Sequence, residues 1–206
     1  MDTNIVLLSL QLVLPAFNDF AQKAQLQIPL PLTESRVTKS HVSKNVSAVM
    51  AVFDDRYHFV WNNATGYWGR ITYRDNKLTT SSMNREEMFP LLVTQKSLIG
   101  TNEAIEISSN ALHRLGYDRP EWLDKVFVTQ YTFSPDAKKP QKPMPIFSVR
   151  WFPSKPPLGY EYSLFEFEIY GVEKRVTCFS HLPIDGDSKK NGTFNLLNYT
   201  NSHSSP

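Results

Sequence analysis

Only one cysteine, Cys178, occurs in the 206 residues. A single thiol closes no intrachain disulfide and supplies no multi-cysteine metal site, so a disulfide scaffold is excluded. Glycine is scarce, at 8 residues, while aromatics reach 13%. Ring side chains pack well on pleated surfaces that glycine weakens, which favours strands over an all-helical chain. An excess of one charge is also missing. With 22 basic and 20 acidic residues the net charge is +2, too little to hold a polyanion by neutralising its phosphates, and nucleic acid is not an expected partner.

Long apolar runs are absent as well. The longest near the start, Ile5 to Leu14, covers about half of a bilayer core, so no transmembrane span is expected. No Lys or Arg precedes it; Asp2 is the only charged residue there. The run reads either as a degraded signal peptide, with Ala16 or Ala21 near a cleavage site, or as a buried strand or helix of the fold. The first alternative places the protein outside the cytosol or in the cell envelope.

Catalytic signatures are missing too. There is no phosphate-cradling loop, GxSxG elbow, dinucleotide fingerprint or HExxH. His41, His58, His113 and His181 fall in unrelated elements without metal-ligand spacing. No metal, cofactor or catalytic set is expected. Cys178 and His181 lie three apart on one strand, on opposite faces, and Cys178 reads as a small buried hydrophobe beside Val176. Glu166 and Glu168 share a strand face, as a pair of catalytic carboxylates would, but Arg150 across from them points to a solvated charged surface.

What is present is enough apolar material, 41% with a mean hydropathy of −0.36, for one large domain or two small ones. Pro15 suits a first helical position, and Phe17, Phe20, Ala21 and Ala24 follow at helical spacing up to Ile28-Pro29-Leu30-Pro31. Val46 to Phe53 then reads as a strand buried on both faces, Asp54-Asp55 as a turn, and Arg56 to Asn62 and Tyr67 to Arg74 as two more strands. Asn84 to Phe89 forms a brief helix ended by Pro90. A longer helix opens at Thr101, the expected N-cap, and stops at Gly116. Four strands follow: Val126 to Phe133, Ile146 to Phe152, Tyr162 to Tyr170 and Lys174 to His181. Phe147, Val149 and Trp151 share a face with Phe165, Phe167 and Ile169, under Leu112 and Leu115.

The expected class is α+β, with a short helix and an antiparallel strand meander in each half: helix then three strands, helix then four. The expected units are residues 1–90, 91–184 and a polar tail, 185–206. Lys138, Lys139, Lys142 and Lys155 fall in loops at opposite ends of the meander and make no single patch.

Ser97-Leu98-Ile99-Gly100-Thr101-Asn102-Glu103-Ala104, then Leu115-Gly116-Tyr117-Asp118, resembles a group of uncharacterised bacterial proteins, many of them exported. Leu14-Pro15-Ala16-Phe17, Pro29-Leu30-Pro31-Leu32-Thr33 and the segment Met144 to Trp151 carry the same resemblance, which touches most of residues 12–182. At coarser grain, the helix opened by Thr101, Glu103 and Ala104 and followed by strands is similar to PepSY domains. That resemblance implies a module binding or restraining peptidases. The usual acidic-then-Gly strand ending is reversed here, Gly171 preceding Glu173.

The expected function is a non-enzymatic binding module for a protein, peptide or glycan. Its expected surface is the aromatic hairpin, with Tyr57, Trp61, Tyr67 and Trp68 as ligand-binding residues and Phe59 and Tyr73 beside them. The rival is a small hydrolase whose residues converge from distant segments, using Glu166 or His58. A third reading is a structural protein of the cell envelope.

Overall fold

The computed structural model describes residues 3–43, 48–62, 67–68, 70–73, 85–117, 125–134, 136, 138–152 and 164–181. The turn at 63–66, Asn84, the loop holding Lys155 and the tail from 185 lie outside them.

The first helix, α1 (Thr3–Lys23), is longer than the residues after Pro15 foretold, because it absorbs the apolar run and carries Pro15 inside. A mid-helix proline removes one amide donor and costs about 3 kcal/mol. Burial on both sides offsets it: Ser9, Leu10 and Val13 before Pro15, and Phe17, Phe20 and Ala21 after, are all buried. Each large side chain so buried contributes about 1.5–3 kcal/mol. One side of the run, Ser9, Leu10 and Val13, is therefore packed into the core, while Leu7 and Leu8 are exposed. Asn18 pins the following segment to the helix, donating to the Leu32 carbonyl at 2.9 Å and accepting from its amide at 2.7 Å.

Strands β1 (Val37–Val42), β2 (Ala48–Phe53) and β3 (Tyr57–Asn62) come next, then two short pieces, β4 (Tyr67–Trp68) and β5 (Arg70–Tyr73). The turn between β2 and β3 is the expected one. Asp54 and Asp55 both take positive φ (52° and 54°), and the Arg56 amide bonds the Phe53 carbonyl at 2.9 Å. Such a turn matches the strands' twist. Arg36 braces it, meeting Asp54 at 2.5 Å and the carbonyls of Pro29 and Pro31 at 2.8 Å each. That hydrogen bond holds the Asp54 carboxyl below its ordinary range and raises the Arg36 guanidinium. β1 was not foreseen. Val42 alone of its residues is buried, so no apolar alternation marks it; main-chain pairing to β2 makes it a strand.

Helix α2 (Arg85–Leu92) continues through Pro90 rather than ending before it. Its last residue, Leu92, is buried against Met144, Ile146 and Tyr170, which holds the final turn in place. In α3 (Thr101–Arg114) the cap is Gly100, and Thr101 is the first helical residue, making no cap bond. The C-terminal end is as expected. Gly116 takes φ +80°, its amide bonds His113, and the Tyr117 amide reaches the Leu112 carbonyl at 2.9 Å, a Schellman closure.

The remaining strands are β6 (Lys125–Phe133), β7 (Lys142–Phe152), β8 (Phe165–Tyr170) and β9 (Arg175–His181). Each half is thus a helix followed by antiparallel strands, and the class is α+β. β5 pairs with β9, so the two sets join in the order β1-β2-β3-β5-β9-β8-β7-β6, with β4 beside β3. The core likewise draws on both halves, joining Phe17, Phe53 and Phe59 to Leu112, Phe147, Phe165 and Phe179. Phe20 meets Phe179 with ring centroids 5.3 Å apart.

Candidate functional site

Strand register places the chemistry-bearing residues. α1 and α3 cover one sheet face, filled by Val149, Phe165, Phe167, Ile169 and Phe179. Directly paired residues share a face, so the other face can be read row by row. One row holds Val52 and His58 and, beyond β5, Cys178, Glu168, Ser148 and Thr129, and the next includes Ser180, Glu166, Arg150 and Phe127. Neighbouring strands lie about 4.8 Å apart.

At the β6–β8 end these residues form a network. Arg150 Nε lies 3.3 Å from Glu166 Oε1, and the Ser148 hydroxyl donates to the same oxygen at 3.2 Å. Ser148 also shares a hydrogen bond with Tyr131, whose phenol is pushed above its ordinary value by burial and then by the carboxylates of Glu168 and Glu166. Thr177 donates its hydroxyl towards Glu168, with Oε1 and the backbone carbonyl each at 3.2 Å. Glu168 is only 8% exposed. The expected solvated charged surface holds at Arg150 and Glu166, which are 53% and 37% exposed, and is corrected at Glu168: next to it the strands carry the second apolar cluster, Met144, Ile146 and Tyr170 under Leu92, partly walled by Tyr131 and Phe133.

A bulge changes the reading of Cys178. Between Glu168 and Ile169 the β8–β9 register shifts, the partner moving from Cys178 to Val176. The extra residue, Thr177, breaks the period of two. Val176 therefore packs in the main core while Cys178 sits half-buried on the opposite face beside Glu168. His181 is on the core face, stacked on Phe165 with ring centroids 4.4 Å apart, and burial lowers its pKa to about 3.

Of the residues expected to bind a ligand, Tyr57 and Trp61 are partly buried and pack against the main core. Trp61 pairs in register with Trp68, and Asn62 with Tyr67; the side chains of Tyr67 and Trp68 lie outside the described residues. Sequence reasoning passed over Tyr131, Ser148 and Thr177. The alternation of Val126 and Val128 with Phe127, Thr129 and Tyr131 marks the two faces of β6, but no sequence signal gave the bulge that turns Thr177 towards Glu168.

Both hydroxyls facing a carboxylate, Ser148 and Thr177, are sealed in, at 3% and 0% exposed, which leaves a substrate no approach to them. Among the described residues, no three His, Cys, Asp or Glu side chains gather as metal ligands, and no helix is long and apolar enough to cross a membrane. No family model matches the chain, and neither a curated protein nor a solved structure matches it.

Proposed function

We propose that the chain is a non-enzymatic interaction module for a protein or peptide, and that its recognition surface is the sheet face turned away from α1 and α3. The observation that carries this reading is the network of Tyr131, Ser148, Arg150 and Glu166, held rigid on three adjacent strands with the exposed Arg150 at its outer side. Rigid, pre-oriented polar groups beside an apolar cluster lose little freedom on binding. Arg150 presents donors to a partner's carboxylate or backbone carbonyls, while Ser148 and Arg150 fix the Glu166 carboxylate as an acceptor.

A peptidase-restraining role is the most specific form of the proposal. It draws support from the order of α3 followed by β6 to β9, the helix-then-strands plan that resembles PepSY domains. Placement in the cell envelope belongs to the same reading.

The test is a pull-down from native extract with immobilised wild type, Arg150→Ala and Tyr131→Phe, the fold of each variant checked by circular dichroism. A partner recovered by wild type and depleted at least about tenfold by Arg150→Ala, a loss of about 1.4 kcal/mol, supports the surface. Equal recovery by all three proteins refutes the surface, and recovery of no partner refutes the module.

A further inference from the structure

The sheet ends in two outer strands, β1 and β6, and they are built differently. β1 has six residues, a register shift between Val37 and Lys39, and Thr38, Lys39, Ser40 and His41 exposed. A polar, lysine-bearing, irregular edge resists pairing with another chain. β6 runs nine residues, KVFVTQYTF, with one charge, Lys125, at its first position; its register to β7 also shifts, between Gln130 and Thr132, but the extra residues there fall on β7 and not on the outer strand. Among the described residues no strand pairs with its outer side. Phe127, in its middle, is 60% exposed, and Thr129 beside it is exposed too. This edge lacks the charge that would keep a second strand away.

The strand is complementary to itself. Turned by a two-fold axis through Thr129 and laid antiparallel, it sets Phe127 of one copy opposite Tyr131 of the other, Val128 opposite Gln130 and Thr129 opposite Thr129. Lys125 falls opposite Phe133, so the two lysines sit at opposite ends and do not repel. Aromatic pairs and Thr–Thr pairs are favoured cross-strand neighbours. We infer that two copies of this chain associate through their β6 strands about that axis, continuing one sheet into the next. The axis stands perpendicular to the sheet, so the networks around Arg150 and Glu166 of both copies face the same side. A dimer of this kind presents the recognition face twice, and a partner with two sites gains avidity from it.

Sedimentation and light scattering of the full chain test the inference. A mass of twice 23.7 kDa is expected for wild type at concentrations on the order of 0.1 mM. Phe127→Lys, a change at an exposed site, is expected to weaken association at least about tenfold without altering the circular dichroism spectrum. In a Cys178→Ser background, Thr129→Cys is expected to form an intermolecular disulfide under mild oxidation. Opposed Cα atoms about 4.5–5.5 Å apart lie within disulfide reach, and Ser40→Cys on β1 is expected to stay reduced. A wild-type monomer overturns the inference, as does a dimer unaffected by Phe127→Lys or one in which Ser40→Cys crosslinks and Thr129→Cys does not.

Discussion

Lowering the pH from 7.5 to 5 should cost the native state about 2 kcal/mol through His181 alone. The ring is 3% exposed, stacked on Phe165 at 4.4 Å and 18° and 5.2 Å from Tyr117. Burial holds its folded pKa at about 3, against about 6.5 in an unfolded chain. A base with a depressed folded pKa stays neutral in the fold, while the unfolded chain takes up the proton. Its contribution is intact above about pH 6.5 and is lost as pH falls towards 3, at about 1.36 kcal/mol per pH unit. From pH 6.5 to 5 that is about 2 kcal/mol, in a window where most carboxylates are still ionised. Urea unfolding followed by tryptophan fluorescence at pH 7.5 and pH 5 measures it, with His181→Phe keeping an aromatic ring against Phe165. The variant should lose most of the wild-type difference between the two pH values. If both proteins weaken equally, or wild type changes by less than about 0.5 kcal/mol, the assignment to a buried neutral imidazole fails.

Two packing predictions accompany it. Gly171 donates to the Pro145 carbonyl at 2.6 Å and accepts from Leu98 at 3.0 Å, and a Cβ there would lie 2.2 Å from Ser97 Oγ, 3.0 Å from Phe147 and 3.1 Å from Ile99. Gly171→Ala should therefore cost about 1–3 kcal/mol in urea melts, the range for overpacking, and no measurable loss would show that the loop before α3 yields freely. Ser108 accepts from the Trp151 indole at 3.0 Å and donates to the Ile105 carbonyl at 2.8 Å. Ser108→Ala strands the buried indole N–H at about 1–3 kcal/mol, measured by the same melts, while an unchanged midpoint would mean that the indole finds another acceptor.

Much of the fold was legible because it follows from local chemistry. The segment from Thr101 to the closing Gly116 reads as a helix, and α3 forms there with Ala104, Ala111 and Leu112 buried. Phe165, Phe167 and Ile169 alternate with Glu166, Glu168 and Tyr170, and the sheet splits them onto two faces. Misreadings occurred where burial overrode a local rule. Pro15 and Pro90 ordinarily start or stop helices, yet both sit inside one because apolar residues beyond them are packed into a core. β1 escaped notice for the converse reason: an outer strand buries almost nothing and needs no pattern.

By itself the sequence determined the α+β class, the two-residue Asp turn, the closure of α3 at Gly116 and the face that α3 covers, since each depends on residues a few positions apart. Tertiary structure alone decided that β5 meets β9, which joins the strands of the two halves. It also decided that a bulge turns Thr177 towards Glu168 and moves Cys178 off the core face. The physical reason is range. A turn or a helix cap is satisfied by neighbours in the chain, whereas a strand edge and a buried carboxylate are satisfied only by segments brought together from far along it.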